Sequence, residues 1–199
     1  MEFKGYNKGN RKEAKAYAPL PKGNYVCKIM SIEETKYSSG KTGLKIYFDI
    51  AEGDYKDFYT NKYQESDKED KKWNFDAIFY LTVPEDGAEA YIQDNWDTFW
   101  ANLEDSNNGY VFTGDEKTIK GKVIGGIFRI EQTEYNGRTY NHTKLFKTAI
   151  AQDVRDGKID WIPDDKLLPN QPAPSAPTTD DNGFLNVPPE AVEMDLPFK

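Results

Sequence analysis

A mainly β domain with one helix between its third and fourth strands, followed by an acidic tail, is the architecture that this 199-residue chain predicts. Three observations carry it. Five segments rich in β-branched and aromatic residues are separated by glycine, proline and asparagine breaks. A single segment carries apolar residues at helical spacing. From Pro163 to Lys199 the composition changes, with eight of the eleven prolines and seven acidic residues against two lysines. Proline and charge keep such a stretch extended, solvated and disordered.

Residues 1–22 are polar and basic, with Lys8, Arg11, Lys12 and Lys15, and read as an arm stopped by Pro19 and Pro21. Gly23 opens a first strand, Asn24 to Glu34. The turn-rich loop Lys36-Tyr37-Ser38-Ser39-Gly40-Lys41-Thr42-Gly43 follows. In a second strand, Leu44 to Glu52, the apolar Leu44, Ile46, Phe48 and Ile50 alternate with Lys45, Tyr47 and Asp49, the pattern of a half-buried strand. Residues 53–74 are polar and aromatic. A third strand fits Phe75 to Val83, ended by Pro84. Ile92, Trp96, Phe99, Trp100 and Leu103 then form one stripe of an amphipathic helix, with Trp96, Phe99 and Trp100 in the core. Lys122 to Thr133 is a fourth strand, in which Gly125-Gly126 suggests a bulge or bend. Tyr135-Asn136-Gly137-Arg138 is the strongest hairpin turn in the chain, and Tyr140 to Ile150 returns as the fifth strand. The divisions are thus 1–22, 23–162 and 163–199. The order of elements is that of the OB-fold, a five-stranded, partly open barrel with one helix between strands three and four.

No run of eighteen apolar residues exists, so no membrane crossing is expected, and the polar N-terminus lacks a signal peptide's apolar stretch. One cysteine, Cys27, excludes an internal disulfide and a cysteine-cluster zinc site. No metal and no cofactor are expected, and the chain reads as soluble and cytoplasmic. The formal charge of −8 is segregated: residues 1–48 carry +6, 49–116 carry −13, 117–147 carry +5, 148–162 carry −1 and the tail −5. A basic surface can therefore exist on an acidic protein.

OB-folds bind ligands across strands two and three and between the strand 1–2 and strand 4–5 loops. Both loops lie in the basic segments. A single nucleic-acid strand needs cations for its phosphates and aromatic faces for its bases. Lys36, Lys41, Lys45, Arg129, Arg138, Lys144 and Lys147 supply the first requirement, and Tyr37, Tyr47 and Tyr140 the second. Tyr47 stands out, because its alternation puts it on the face away from the core. Cys27 reads as a buried small hydrophobe and His142 as structural. Gly40-Lys41-Thr42 is a fragment of a phosphate loop without its first glycine or its helix. Pro163-Asp164-Asp165-Lys166 has no partner carboxylate beside it. No catalytic residue is assigned.

Five short motifs resemble the single-stranded DNA-binding proteins encoded by bacteriophages. They are Pro21-Lys22-Gly23-Asn24-Tyr25, Ser39-Gly40-Lys41-Thr42-Gly43, Ile50-Ala51-Glu52-Gly53, Ile119-Lys120-Gly121-Lys122 and Glu134-Tyr135-Asn136-Gly137-Arg138, spread over about residues 20–150. The tip Asp195, Leu196, Pro197 and Phe198 is similar to the acidic tips of bacterial and phage single-strand binders, although Lys199 follows the phenylalanine here. The resemblance implies a non-enzymatic, largely sequence-independent coat for single-stranded DNA in phage replication and recombination, working in the cytoplasm of the bacterial host. Its tail would recruit replication or recombination proteins, and self-association is left open. The alternative on an OB-like barrel is a protein-interaction adaptor or an accessory to a nuclease or recombinase.

Overall fold

A computed structural model describes residues 19–169. The chain divides into two units at Lys166, and the fold that follows is that of the first. Most of the expected basic arm and the tail tip with Asp195, Leu196, Pro197 and Phe198 lie outside the described residues.

Strand β1 (Gly23–Lys36) pairs antiparallel with β2 (Thr42–Ile50) on one side and β4 (Val123–Tyr135) on the other. Strand β3 (Ile78–Thr82) pairs with β2, and β5 (Arg138–Ala149) with β4, both antiparallel. The order is β3-β2-β1-β4-β5. All five expected strands exist. The third is shorter than expected, because Phe75–Ala77 is a 3-10 turn started by the Asn74 side chain, whose Oδ1 accepts from Asp76 N at 2.8 Å.

The expected barrel is not closed: no backbone ladder joins β3 to β5. Parity makes any such closure a parallel one. Four antiparallel pairings leave β3, β1 and β5 running in the same direction. Its two edges can meet only in parallel, the weaker pairing, and β3 offers five residues for it.

Among the described residues there are three α-helices rather than one. Helix α2 (Ala90–Ser106) is the amphipathic segment read from the sequence. Helices α1 (Phe58–Glu65) and α3 (Ala151–Arg155) were not foreseen. The start of α1 is held from β2. Asp49 Oδ1 accepts from Ile50 N (2.8 Å) and Tyr59 N (2.9 Å), and Oδ2 from Thr60 N (2.9 Å). A carboxylate at a helix N-terminus satisfies orphan donors and the macrodipole together. Asp49, expected on the outer face by alternation, is therefore completely buried.

One core collects Ile29, Ile46, Phe48 and Phe128 from the sheet, Phe99 and Leu103 from α2, and Tyr59 from α1, with Cys27 buried among them. Of the three aromatics expected inside α2's face, only Phe99 is buried. Trp96 and Trp100 are half-buried at the margin, Trp100 stacked on Phe112 with centroids 4.0 Å apart. Gly125 and Gly126 are needed for close packing. A Cβ at Gly125 would lie 2.8 Å from Val154 Cγ2, and one at Gly126 2.7 Å from Leu145 Cδ1. The bulge falls beside them, where Ile127 pairs with Lys147 and Phe128 with Leu145, leaving Phe146 as the extra residue.

Contacts of this unit are also found at residues flanking 23–162. Leu20 is buried, and the Thr143 hydroxyl donates to its carbonyl. At the other end, Lys166 N donates to Ile130 O (2.8 Å) and Gln132 N to Lys166 O (2.9 Å), while Pro163 is buried. No described helix is long and apolar enough to cross a membrane.

Candidate nucleic-acid interface

Directly paired residues of a sheet point to the same face. Lys45 of β2 pairs with Glu33 of β1 and Tyr80 of β3, and Tyr47 with Ser31 and Ile78. These rows lie opposite the buried Ile46 and Phe48, so Lys45, Tyr47 and Tyr80 share the outer face. Tyr80 is 49 % exposed. The Tyr47 hydroxyl donates to Glu33 Oε2 at 2.8 Å. Partial burial first, and that acceptor second, raise its pKa above the ordinary phenol value. At the end of β2 the Tyr37 ring lies on Gly43, where a Cβ would fall 2.2 Å from the Tyr37 hydroxyl oxygen. Glycine at 43 therefore lets a third tyrosine cover this end of β2. The turn before it is closed by Tyr37 N donating to Lys41 O and Gly40 N to Tyr37 O, both 2.9 Å. Lys36 and Lys41 are exposed on either side.

The second basic segment forms a projecting ribbon. Pairing of β4 with β1 stops at Phe128, whereas pairing with β5 continues to Tyr135 and Arg138. The turn residues Asn136 and Gly137 have φ of 51° and 70°, the left-handed pair that a two-residue type I′ hairpin requires. Tyr135, Arg138 and Tyr140 are exposed at this tip, and Lys147 is exposed on β5.

At the base of the ribbon the expected cations are engaged within the fold. Arg129 Nε and Nη2 donate to Glu131 Oε1 at 2.9 and 2.7 Å, and the guanidinium lies 4.0 Å from the Phe146 ring centroid. Lys144 Nζ is 3.1 Å from Asp76 Oδ1, donates to Phe75 O at 2.7 Å and sits 3.2 Å from the Phe75 ring centroid. Burial lowers the Lys144 pKa, and Asp76 opposes that shift. His142 Nδ1 is also 3.1 Å from Asp76 Oδ1, and Nε2 is 3.1 Å from Thr133 Oγ1. Carboxylate, imidazole and hydroxyl stand in the order of a nucleophilic triad. However, the Lys144 ammonium shares the carboxylate that would have to stabilise an imidazolium. The hydroxyl sits on a regular antiparallel ribbon. The cluster ties β5 to the turn before β3 across the unpaired seam.

No protein-family model matches the chain, and neither does any curated protein. Location and chemistry therefore carry the functional reading. Of the ten expected contact residues, Lys36, Tyr37, Lys41, Lys45 and Tyr47 gather on one loop and strand. Arg138 and Tyr140 form the ribbon tip, with Lys147 further along β5. Arg129 and Lys144 are tied to internal acids. Among the described residues Lys36, Lys41, Lys45, Arg138 and Lys147 form no ion pair. Sequence reasoning missed Tyr80, Tyr135 and Asp76. Alternation from Ile78 would have found Tyr80, because Phe79 and Leu81 point inward on either side of it.

Beside this face a cleft of about 290 Å³ opens where β3 and β5 fail to pair. Phe79–Thr82 form one wall, Phe146–Thr148 the other, and Tyr91, Ile92, Asp94, Asn95 and Thr98 of α2 the floor.

Proposed function

We propose that the protein is a non-enzymatic, largely sequence-independent binder of single-stranded DNA, acting in phage replication and recombination in the bacterial cytoplasm. One observation carries the reading: Tyr37, Tyr47 and Tyr80 line the outer face of β2 and β3 around Lys45, between a lysine-bearing turn and an arginine-tipped ribbon. Tyrosine rings accept any base by stacking, and unpaired lysines accept phosphates without reading sequence. The strand order supports an OB-type barrel as the finer description. β1 is shared between β2 and β4, one helix lies between β3 and β4, and the open seam is the parallel one that five strands require. The acidic tail with Asp195, Leu196, Pro197 and Phe198 is assigned, on its composition, to recruiting a replication or recombination protein.

Fluorescence anisotropy with labelled (dT) oligonucleotides, duplex DNA and RNA over a salt series tests this. Binding is expected to favour single-stranded DNA over duplex. Its affinity should fall with salt at a slope of about −0.7 for each phosphate contact on a single strand. Absence of binding at low salt, or equal binding to duplex, overturns the proposal.

A further inference from the structure

The seam cleft is chemically unlike the outer face beside it, although the two share Tyr80. Four aromatic residues line it, Phe79, Tyr80, Tyr91 and Phe146. Its polar lining is mixed: Asp94 accepts hydrogen bonds, Lys147 donates them, and Asn95, Thr98 and Thr148 do both. One edge of β3 and one of β5 have no ladder partner, so backbone N–H and C=O groups join that lining. The volume is at the small end of pockets that hold organic ligands, about 300–1,000 Å³. Asp94 opposes a phosphate here, and Lys45, on the outer face, is not among the lining residues. A planar ring with both donors and acceptors on its edge fits what remains: aromatic faces to stack on and alternating hydrogen-bond partners around it.

From this we infer that the cleft takes one unpaired nucleobase, turned off the strand that lies on the β2–β3 face, with its phosphates left outside. The inference rests on the single-strand binding proposed above and adds a site to it. Every standard base presents an N–H for Asp94 and a ring nitrogen or carbonyl for Asn95 or Lys147, so the pocket anchors a strand without demanding a sequence. The β5 bulge is part of the device. It inserts Phe146 between Leu145 and Lys147, and such bulges re-aim side chains beside functional sites.

The test uses the full chain, ¹⁵N-labelled, titrated with (dT)₈ and with an abasic phosphodiester of the same length. With (dT)₈, the Asn95 side-chain amide and the backbone amides of Thr98 and Thr148 are expected to shift. With the abasic strand those signals should stay in place while Lys41 and Lys45 still respond. A Tyr91→Ala, Asn95→Ala double variant, altered only on the exposed surface of α2, should lose about fivefold or more in (dT)₈ affinity and nothing with the abasic strand. Shifts confined to the β2–β3 face, with unchanged affinity of the double variant, overturn the base pocket and leave the proposed function standing. Equal shifts in the cleft with both strands also overturn it, because the cleft would then be responding to phosphate. No response to either strand removes the inference and the function on which it rests.

Discussion

The outer face of β2–β3 and the base of the β4–β5 ribbon are built from the same kinds of residue, yet they are in opposite electrostatic states. On the first, Lys45 has no acidic partner within ion-pair distance among the described residues, and Tyr80 is half exposed. On the second, Lys144 is held by Asp76, Arg129 by Glu131, and both cations lie on aromatic rings. A cation already paired and desolvated has little to gain from a phosphate, because it must first leave its partner. A run of Lys and Arg in sequence is therefore a count of charges. How many are available depends on which acids the fold brings opposite them. At the ribbon base Lys144 ties β5 across the open seam to Asp76, whereas on the outer face Lys45 is left without an ion pair among the described residues.

The largest effect that would separate the two regions is on the rings. Tyr80→Ala and Tyr47→Ala are each expected to cost about 1–3 kcal/mol of single-stranded DNA affinity, the value of one stacked base. The salt slope should not change. Anisotropy titrations at several salt concentrations check both points. Equal affinity for wild type and the Tyr47/Tyr80 double variant would place the site elsewhere.

Next in size is the tether. Lys144→Met takes an ion-pair partner from the half-buried Asp76 carboxylate, leaving His142 at 3.1 Å, and removes a bond to the Phe75 carbonyl. The expected cost is about 1–3 kcal/mol of folding stability, read by urea denaturation, with little change in the salt slope of DNA binding. Asp76→Asn should do the reverse for binding: it releases Lys144 and steepens the slope. If Lys144→Met instead flattens the slope and leaves stability intact, the two regions are not different in the way described.

How much of this could be read from the chain follows from the range of each interaction. The strands, α2 and the Asn136-Gly137 turn were legible because alternation, helical periodicity and turn chemistry are local. So was the outward position of Tyr47. Helix α1 was not, because Asp49, the group that starts it, lies nine residues before it on another element. Nor was the tethering of Lys144 and Arg129, since Asp76 reaches Lys144 from 68 residues away and Glu131 reaches Arg129 only by sharing its face of the ribbon. The contacts near the two ends of the described residues escape composition for a similar reason. Composition marks where a chain becomes polar, whereas Leu20 is held by one long-range hydrogen bond and Lys166 by two.

A smaller effect should appear at Lys45. Half-buried and without an ion pair among the described residues, it is expected to act in binding through counterion release. Lys45→Ala is expected to reduce the magnitude of the log–log salt slope by about 0.7, the value for one phosphate contact on a single strand. Stability should be unchanged, since no ion pair is lost. A variant with the wild-type slope would mean that the strand passes Lys45 without touching it.

The smallest effect tests which part of Tyr47 matters. Its ring lies on the outer face proposed for binding, and its hydroxyl is bonded to Glu33. Tyr47→Phe keeps the ring, so affinity should stay within about twofold of wild type, whereas Tyr47→Ala loses the stack. The hydroxyl has a separate signature in the pH dependence of stability. Its pKa is raised in the folded state by partial burial and by Glu33. The folded protein therefore holds this proton at pH values where the unfolded chain has begun to lose it. That stabilisation is complete below the unfolded phenol value of about 10 and is lost as pH rises through the raised folded value. Wild type should consequently lose stability faster than Tyr47→Phe above about pH 10, with the two curves parallel at neutral pH. Denaturation midpoints at pH 7, 9, 10 and 11 give the comparison. Coincident curves would show that the Glu33 bond contributes nothing in solution, while the prediction for the ring would stand on the affinity data alone.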